Sequence, residues 1–180
     1  DVLAIGDGNL LAPDPDGVRA ELLAAVGAHE VDVPGGPAVP VATVTGEAGT
    51  DALRRAYRRR LLLIAAGDVA AREPSAAVLP DVAAALADLA AAALEGALAI
   101  ARGEHEDHAA ARLAVIGMGK CGGRELNYVS DVDVIYVAEP AEGLEETAGL
   151  AAAARLATTL ARVCSAPSGE PALWPVDAAL

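Results

Sequence analysis

Apolar residues recur at helical spacing over most of the first half of the chain. The pattern predicts a short helix over residues 16–27, ended by Gly27, and a second helix that begins near Thr50. An alanine-rich run after Pro80 predicts a long third helix that starts at that proline. The glycine- and proline-rich stretch 31–46 is predicted to be a connector. The first half is therefore predicted to be mainly helical.

The pattern changes after residue 110. Two short apolar runs predict strands, a helical segment follows, and a last strand ends the chain, over residues 112–118, 131–139, 143–165 and 172–180. This order predicts an α+β fold, in which a helical region, 1–110, is followed by a small α+β domain, 111–180. Because the chain has no initiator Met and stops inside a predicted strand, we expect it to be an excerpt of a longer protein.

Composition and charge narrow the possible partners. The apolar fraction is 54%, alanine dominates it and phenylalanine is absent, which favours closely packed helices over an aromatic-rich sandwich. The formal net charge is −13, so nucleic-acid phosphates would be repelled from an unassisted surface. If the protein handles phosphates, we expect metal ions to take part.

The cysteine spacing, the N-terminus and the apolar stretches of the sequence predict a cytoplasmic protein. Cys121 and Cys164 lie far apart, without neighbours at zinc-ligand spacing, and predict neither a zinc site nor a disulfide framework. The first residues are acidic where a secretory signal would be basic. The apolar stretch 82–101 is long enough to span a membrane, but Asp88 and Glu95 interrupt it, and we interpret it as a packed helix of a soluble protein. No membrane or nucleic-acid partner is expected.

Two groups of polar residues have competing interpretations. Five arginines crowd one side of the second helix and form either a solvated face or a docking patch for an acidic partner or phosphate: Arg54, Arg55, Arg58, Arg59 and Arg60. His105 and His108 lie among acidic residues at a spacing compatible with metal binding, but a charged loop favours solvated histidines. His29 is interpreted in the same way.

A glycine-rich segment lies between the first two predicted strands. Gly117, Gly119 and Gly122 match the spacing of a dinucleotide-binding turn. That fold needs a helix of several turns before the second strand and an acid at the far end of that strand. Here only a short segment intervenes, and the acids come at the beginning of the strand, so the dinucleotide interpretation fails. A phosphate-binding P-loop also fails, because Cys121 follows Lys120 where Ser or Thr is required.

The same segment suits phosphoryl chemistry on metal ions. Asp131 and Asp133 are separated by one residue in a predicted strand, so both carboxylates project from one face. Two neighbouring carboxylates repel each other and are most easily kept ionised by divalent cations, which can stabilise an in-line displacement at phosphorus. The glycines allow a phosphate to approach the backbone, and Lys120 and Ser130 are candidate donors.

These residues resemble a known family. The spacing Gly119-x11-Asp131-x-Asp133, within "GMGKCGGRELNYVSDVDVIYVAE", closely resembles the nucleotidyltransferase signature of the glutamine synthetase adenylyltransferase/adenylyl-removing enzymes, in an actinobacterial form. The segments "LRRAYRRRLLLIAAGDVA" and "LADLAAAALEGALAIAR" resemble the helical lead-in to each catalytic half of that enzyme. "LWPVDAAL" resembles the start of the strand that carries a third carboxylate. The resemblance covers about residues 50–180.

The resemblance implies a fold and a site. It implies a polymerase-β-like nucleotidyltransferase domain with a small mixed sheet, incomplete at the C-terminus of this chain. It also implies that Asp131, Asp133 and Asp177 are the catalytic, metal-binding carboxylates, holding two Mg²⁺ ions. The nucleotide and phosphate side of the site is expected to comprise Gly119, Lys120, Gly122, Gly123 and Ser130.

The family has two catalytic halves, and the sequence favours one. "GGRELNYVSD", with Asn127, is similar to the N-terminal adenylyl-removing half, whereas the adenylylating half usually reads like "GGxELGYGSD"; Lys120-Cys121 points the same way. The implied reaction is phosphorolysis, in which inorganic phosphate removes AMP from a modified tyrosine of glutamine synthetase and forms ADP. Glutamine synthetase and a PII signalling protein are the implied partners, with phosphate and ADP, or ATP, as substrates.

Three alternatives stay open. The chain could come from the adenylylating half of the same family, or from a different nucleotidyltransferase that modifies a small molecule or RNA. It could also be a non-catalytic regulatory module that keeps the fold, although the presence of all three aspartates speaks against degeneration.

Overall fold

A long alanine-rich helix lies at the centre of the protein. The computed structural model describes residues 14–178, and in it this helix, α3, runs over Ser75–Glu104. The other elements are, in chain order, α1 (Pro15–Ala25), β1 (His29–Val31), β2 (Val39–Val41), α2 (Gly46–Ala70), β3 (Ala111–Gly117), α4 (Gly119–Gly122), β4 (Val132–Pro140), α5 (Glu146–Ser165) and β5 (Val176–Ala178). The sequence predictions for α1, α2, α5, β3 and β4 are confirmed to within a few residues. Most of the acidic N-terminal stretch lies outside the described residues.

Small side chains allow the other helices to approach α3 closely. Helices α1, α2 and α5 all pack against it, and Leu89, Ala93 and Ile100 have no exposed surface. At Gly96 an added Cβ would come within 2.6 Å of Cδ1 of Leu53 in α2. The expectation of closely packed helices is therefore confirmed, because glycine and alanine remove the bulk that would separate the helix axes.

The predicted start of α3 was wrong. The helix begins at Ser75, and Pro80 lies inside it, in its second turn. Because Pro80 has no N–H, the helix lacks the one backbone hydrogen bond that residue 80 would donate to the carbonyl of Ala76. Burial of Val78, which is 8% exposed and belongs to the core, explains why the helix extends before the proline.

The predicted connector 31–46 contains part of a small hairpin. Strands β1 and β2 pair antiparallel, with His29 opposite Val41 and Val31 opposite Val39. The sequence did not predict these strands because each is only three residues long and the stretch is rich in glycine and proline. The segment packs on the central helix, where the N–H of Ala42 donates to the carbonyl of Ala99 at 3.0 Å.

The second sheet is mixed and has the order β3-β4-β5. Strand β3 pairs antiparallel with β4, from Ala111 opposite Pro140 to Gly117 opposite Val134. Strand β5 pairs parallel with β4, and Val132 lies opposite Val176. The antiparallel β3–β4 pair confirms that this is not a dinucleotide-binding unit, whose successive strands are parallel. The fold class is α+β, as predicted.

The last predicted strand is shorter than expected. Strand β5 begins at Val176, whereas residues 172–175 are irregular. Pro175 has no N–H to donate to a sheet, although its carbonyl accepts from the N–H of Val132 at 3.1 Å. Residues 179–180 of the prediction lie outside the described part of the chain.

One hydrophobic core joins the helices to the sheet. Residues of α1, α2, α3, β4 and α5 belong to a single buried cluster, in which Val132 and Val134 have no exposed surface. The division into domains 1–110 and 111–180 stays a prediction. Helix α3 is the one helix within residues 14–178 that is long and apolar enough to cross a membrane, and 56% of its most apolar window is buried inside the protein.

Candidate functional site

The glycine segment forms a tight turn between β3 and β4. Gly119 has φ +50°, and an added Cβ there would lie 2.6 Å from Oδ2 of Asp133. The N–H of Met118 donates to the backbone carbonyl of Asp133 at 2.8 Å. At Gly122 an added Cβ would lie 2.2 Å from the carbonyl oxygen of Gly117. A side chain is therefore excluded at Gly119 and at Gly122, and the backbone at Gly119 lies directly against the Asp133 carboxylate.

Two of the predicted phosphate-binding glycines already use their N–H groups within the turn. Gly122 donates to Met118, and Gly123 donates to Gly119, each at 2.9 Å. Their predicted role in phosphate binding would therefore depend on close approach at the turn rather than on these two N–H groups. That role stays a prediction.

The structure places two of the three predicted carboxylates on one face of the sheet. Asp133 of β4 and Asp177 of β5 are register partners, so their side chains leave the sheet on the same side. Val132 and Val134 point into the core on the opposite side, as predicted. Asp131 is exposed and directly precedes β4, so its expected place within the strand was wrong by one residue.

The arrangement suits a hard divalent cation in its donor chemistry. Carboxylate oxygens are the ligands that Mg²⁺ prefers, and Asp133 and Asp177 present theirs on the sheet face that the core does not cover. Among residues 14–178 no three acidic, histidine or cysteine side chains already converge at metal-binding distance. Assembly of the complete triad with Asp131 therefore stays a prediction.

Lys120, Ser130 and Asp131 line a cleft of about 610 Å³ next to the turn. The cleft continues between α2 and the segment before β5, where Tyr57, Arg58, Tyr128 and Trp174 contribute to its walls. The hydroxyl of Ser130 donates to Oδ1 of Asp131 at 3.4 Å. The structure thus brings two of the predicted phosphate-binding residues into the cleft that Asp131 also lines, whereas Asp133 and Asp177 do not line it.

The loop between the turn and β4 is held by side chains. Nδ2 of Asn127 donates to the carbonyl of Val129 at 2.8 Å. The hydroxyl of Tyr128 donates to Asp68 of α2 at 2.8 Å. Burial and the neighbouring Asp68 carboxylate raise the pKa of Tyr128 to about 12, which favours the protonated phenol that donates this hydrogen bond. Sequence reasoning missed Tyr128, whose partner lies sixty residues away.

The interpretations of the arginine cluster were wrong for Arg54. Its side chain has no exposed surface and donates to three backbone carbonyls, those of Val163, Ala166 and Glu170, at distances between 2.7 and 3.0 Å. Burial lowers the pKa of this guanidinium. Only its position next to Leu53, on the helix stripe that packs inward, could have indicated this in the sequence.

The other arginines of the cluster differ in exposure. Arg58 donates to the carbonyls of Pro171 and Ala172, whereas Arg55 is exposed and pairs with Glu170 at 3.3 Å. Arg59 is exposed. The cluster is therefore partly a solvated face and partly an internal anchor.

The histidine pair makes contacts within the protein. Nε2 of His105 lies 2.9 Å from the hydroxyl of Thr159, and Nδ1 of His108 lies 3.1 Å from the carbonyl of His105. Both cysteines are buried free thiols, and burial raises the pKa of Cys164 to about 12. The two histidines and Cys164 lie outside the glycine turn, whereas Cys121 is a buried residue of the turn itself.

Fold and site together define an α+β protein with a glycine turn and paired aspartates at one end of a mixed sheet. A sequence model of the family described as glutamate–ammonia ligase adenylyltransferase matches residues 38–180. The chain belongs to this family, whose members are nucleotidyltransferases, and the resemblance stated from the sequence is confirmed.

Curated relatives agree with this assignment. The chain is 50% identical over 166 residues to a protein of Cutibacterium acnes, covering 92% of this chain and 16% of the relative. It is 57% identical over 132 residues to one of Streptomyces avermitilis, covering 71% of this chain and 12% of the relative. A protein of Bifidobacterium longum is 48% identical over 166 residues, covering 90% of this chain and 15% of the relative. All three are named bifunctional glutamine synthetase adenylyltransferase/adenylyl-removing enzyme, and the chain spans only between 12% and 16% of their length.

Proposed function

We propose that this chain contributes the metal-binding core of a catalytic domain that removes AMP from glutamine synthetase. The observation that carries the proposal is the pairing of Asp133 with Asp177 beside the glycine turn, in a chain of the adenylyltransferase family. The segment "GGRELNYVSD" supports the adenylyl-removing half, because Asn127 resembles that half. The domain is proposed to have the polymerase-β-like nucleotidyltransferase fold.

The proposed reaction is a displacement at phosphorus. An oxygen of inorganic phosphate attacks the adenylyl phosphorus, the bond from phosphorus to the tyrosyl oxygen breaks, and ADP and a protonated tyrosine result. Asp131, Asp133 and Asp177 would hold the Mg²⁺ ions, which would neutralise phosphate charge and stabilise the leaving oxygen.

The chain's own residues orient the reactants. Burial of Val132 and Val134 anchors β4, so that the Asp133 carboxylate is held on the opposite face. Lys120 and Ser130 line the cleft beside Asp131, where their donors can bind phosphate oxygens. Gly119 leaves room for the Asp133 carboxylate and for close approach of the phosphate.

The partners follow from the same proposal. The names of the relatives identify glutamine synthetase as the protein on which they act. For this chain we propose adenylylated glutamine synthetase as the substrate, phosphate as the second substrate, and a PII signalling protein as a regulator in the cytoplasm. The adenylylating reaction, from ATP to the unmodified tyrosine, is the competing assignment.

The test uses the full-length enzyme that contains this segment. Adenylylated glutamine synthetase is incubated with Mg²⁺ and phosphate, and ADP is measured for the wild type, for Asp133→Asn and for Glu139→Gln, a control on the same strand. We expect Asp133→Asn to lower the rate of phosphate-dependent ADP formation about a hundredfold or more. The transfer of AMP from ATP should stay intact. Glu139→Gln should resemble the wild type.

The converse pattern assigns the other half. If Asp133→Asn abolishes transfer of AMP from ATP but leaves phosphorolysis intact, the segment belongs to the adenylylating half. If Asp133→Asn leaves both activities unchanged, the segment is not a catalytic centre, and the regulatory-module interpretation stands.

A further inference from the structure

A polar face of α2 holds the segment that leads into β5. This segment, residues 166–175, is called the strap here, and it connects α5 to the strand that carries Asp177. It has no helix or strand of its own. Its position therefore depends on contacts with neighbouring elements.

Arg54 makes the innermost contact with the strap. The guanidinium donates to the carbonyls of Ala166 and Glu170 in the strap, and to that of Val163 in the last turn of α5. A planar guanidinium carries five donors in a fixed geometry, so three carbonyls bound by one such group cannot move independently. The side chain is fully buried, so water does not compete for these bonds.

Two further side chains of α2 extend this contact in both directions. Oδ1 of Asp51 accepts from the hydroxyl of Ser168 at 2.6 Å and from the N–H of Glu170 at 2.9 Å. Arg58, one turn after Arg54, donates to the carbonyls of Pro171 and Ala172. We call Asp51, Arg54 and Arg58 the α2 clamp.

The clamped strap ends at the sheet. After Ala172, the indole N–H of Trp174 donates to the hydroxyl of Tyr57 in α2 at 3.2 Å. The carbonyl of Pro175 accepts from the N–H of Val132, and the parallel register that pairs Asp133 with Asp177 begins there. Strand β5 is only three residues long in the described part of the chain, so few sheet bonds could keep it in register by themselves.

We propose that the α2 clamp is a positioning device for the third carboxylate. Asp51, Arg54 and Arg58 hold the strap so that Asp177 lies opposite Asp133, and the metal affinity of the carboxylate pair depends on Arg54 although Arg54 touches neither metal nor substrate. The metal-binding part of this inference rests on the proposed function. The mechanical part, the control of β5 by α2, does not.

The test measures the strand and the metal separately, in the full-length enzyme. Hydrogen exchange detected by mass spectrometry follows peptides of the strap and β5, and of β3 as an internal reference. Mn²⁺ binding is measured by electron paramagnetic resonance. The Mn²⁺ binding that is lost in Asp133→Asn is assigned to the proposed site. The variants are Arg54→Met, Arg54→Lys, the milder Asp51→Ala, and Arg59→Met as a matched control on the exposed side of α2.

We expect Arg54→Met to accelerate exchange in residues 166–178 at least about tenfold and to leave β3 unchanged. The same variant should weaken the Asp133-dependent Mn²⁺ affinity about tenfold, the size of effect usual for groups that orient metal ligands. Compared with Arg54→Met, Arg54→Lys should show slower exchange and tighter Mn²⁺ binding. Asp51→Ala should show a smaller increase in exchange in the same segment. Arg59→Met should match the wild type. If Arg54→Met does not fold, Asp51→Ala carries the same comparison.

Three results would overturn the inference. Exchange that rises equally in β3 and β5 would mean that Arg54 supports the whole fold and does not position β5. Unchanged Mn²⁺ affinity despite faster exchange in β5 would separate the clamp from the metal site. Absence of Asp133-dependent Mn²⁺ binding in the wild type would refute the proposed metal site and the clamp's role in metal binding, whereas a local change in exchange would still show that α2 controls β5.

Discussion

At the scale of single residues, Asp51 shows how a partly exposed carboxylate stabilises a distant segment. Its hydrogen bonds reach Ser168 and Glu170, more than a hundred positions away in the chain. The hydroxyl of Ser168 and the backbone N–H of Glu170 together lower the pKa of Asp51 from its ordinary value of 3.8. The carboxylate form is therefore preferred in the folded protein.

This pKa shift predicts a pH dependence of stability. A carboxyl with a lowered folded pKa contributes stability that is fully present above its unfolded pKa of 3.8 and is lost as pH falls through the folded pKa. We expect Asp51→Asn to lower the urea midpoint at neutral pH, with a difference from the wild type that shrinks below pH 3.8. Urea unfolding over this pH range checks the prediction.

The control for Asp51 is Glu47→Gln, which changes an exposed carboxylate in the first turn of the same helix. The difference in urea midpoint between Glu47→Gln and the wild type should not shrink comparably below pH 3.8. A difference for Asp51→Asn that stays constant through the acid range would contradict the role of ionised Asp51.

At the scale of elements, the glycine turn is the part of the fold that most directly shapes the site. A three-strand sheet with one covered face leaves its other face available, and the turn between β3 and β4 closes one end of that face. Gly119 combines a positive φ with contact against the Asp133 carboxylate. The backbone conformation of the turn and the orientation of the Asp133 carboxylate therefore depend on the same residue.

A pair of glycine substitutions separates these two effects. Gly119→Ala adds a Cβ 2.6 Å from Oδ2 of Asp133, whereas Gly143→Ala adds one with nothing within 4 Å, at a φ of +82°. Both variants should lose about 1 kcal/mol of stability from the positive φ. Only Gly119→Ala should also lose phosphorolysis, about a hundredfold, because the carboxylate is displaced.

The measurements are ADP release by the full-length enzyme and the urea midpoint of each variant. Equal activities for Gly119→Ala and Gly143→Ala would show that contact between the turn and Asp133 is unimportant for the reaction.

At the scale of the whole molecule, the helices and the sheet share one core. The cluster of buried residues includes Leu53 of α2, Leu89 of α3, Val132 of β4 and Leu160 of α5. Side chains of the helical region and of the sheet therefore belong to one continuous buried cluster. The two predicted domains are thus expected to unfold together.

Cooperative unfolding can be tested with two probes of the 180-residue chain. Far-ultraviolet circular dichroism follows mainly the helices, and fluorescence follows Trp174, the only tryptophan, which is buried in the strap. We expect the two urea transitions to coincide, as they do in a single cooperative unit. A fluorescence transition at clearly lower urea would instead separate the strap and sheet from the helices.

Local patterns in the sequence predicted much of this fold. Periodic apolar positions identified α1, α2 and α5, and the short apolar runs identified β3 and β4. Each of these elements has a buried face, so apolar residues recur about every 3.6 positions in a helix and every 2 in a strand. The glycine turn and its neighbouring aspartates were also recognisable, since turn geometry and carboxylate chemistry depend on residues close together in the chain.

Only the tertiary structure decided the features that join distant segments. The pairing of Asp133 with Asp177 is a register between strands, and the burial of Arg54 depends on carbonyls more than a hundred residues away. An arginine in a charged run looks solvated until another segment supplies its hydrogen-bond partners. The sequence by itself therefore determined the local elements, the turn and the kind of chemistry, whereas long-range packing decided which polar groups support the site.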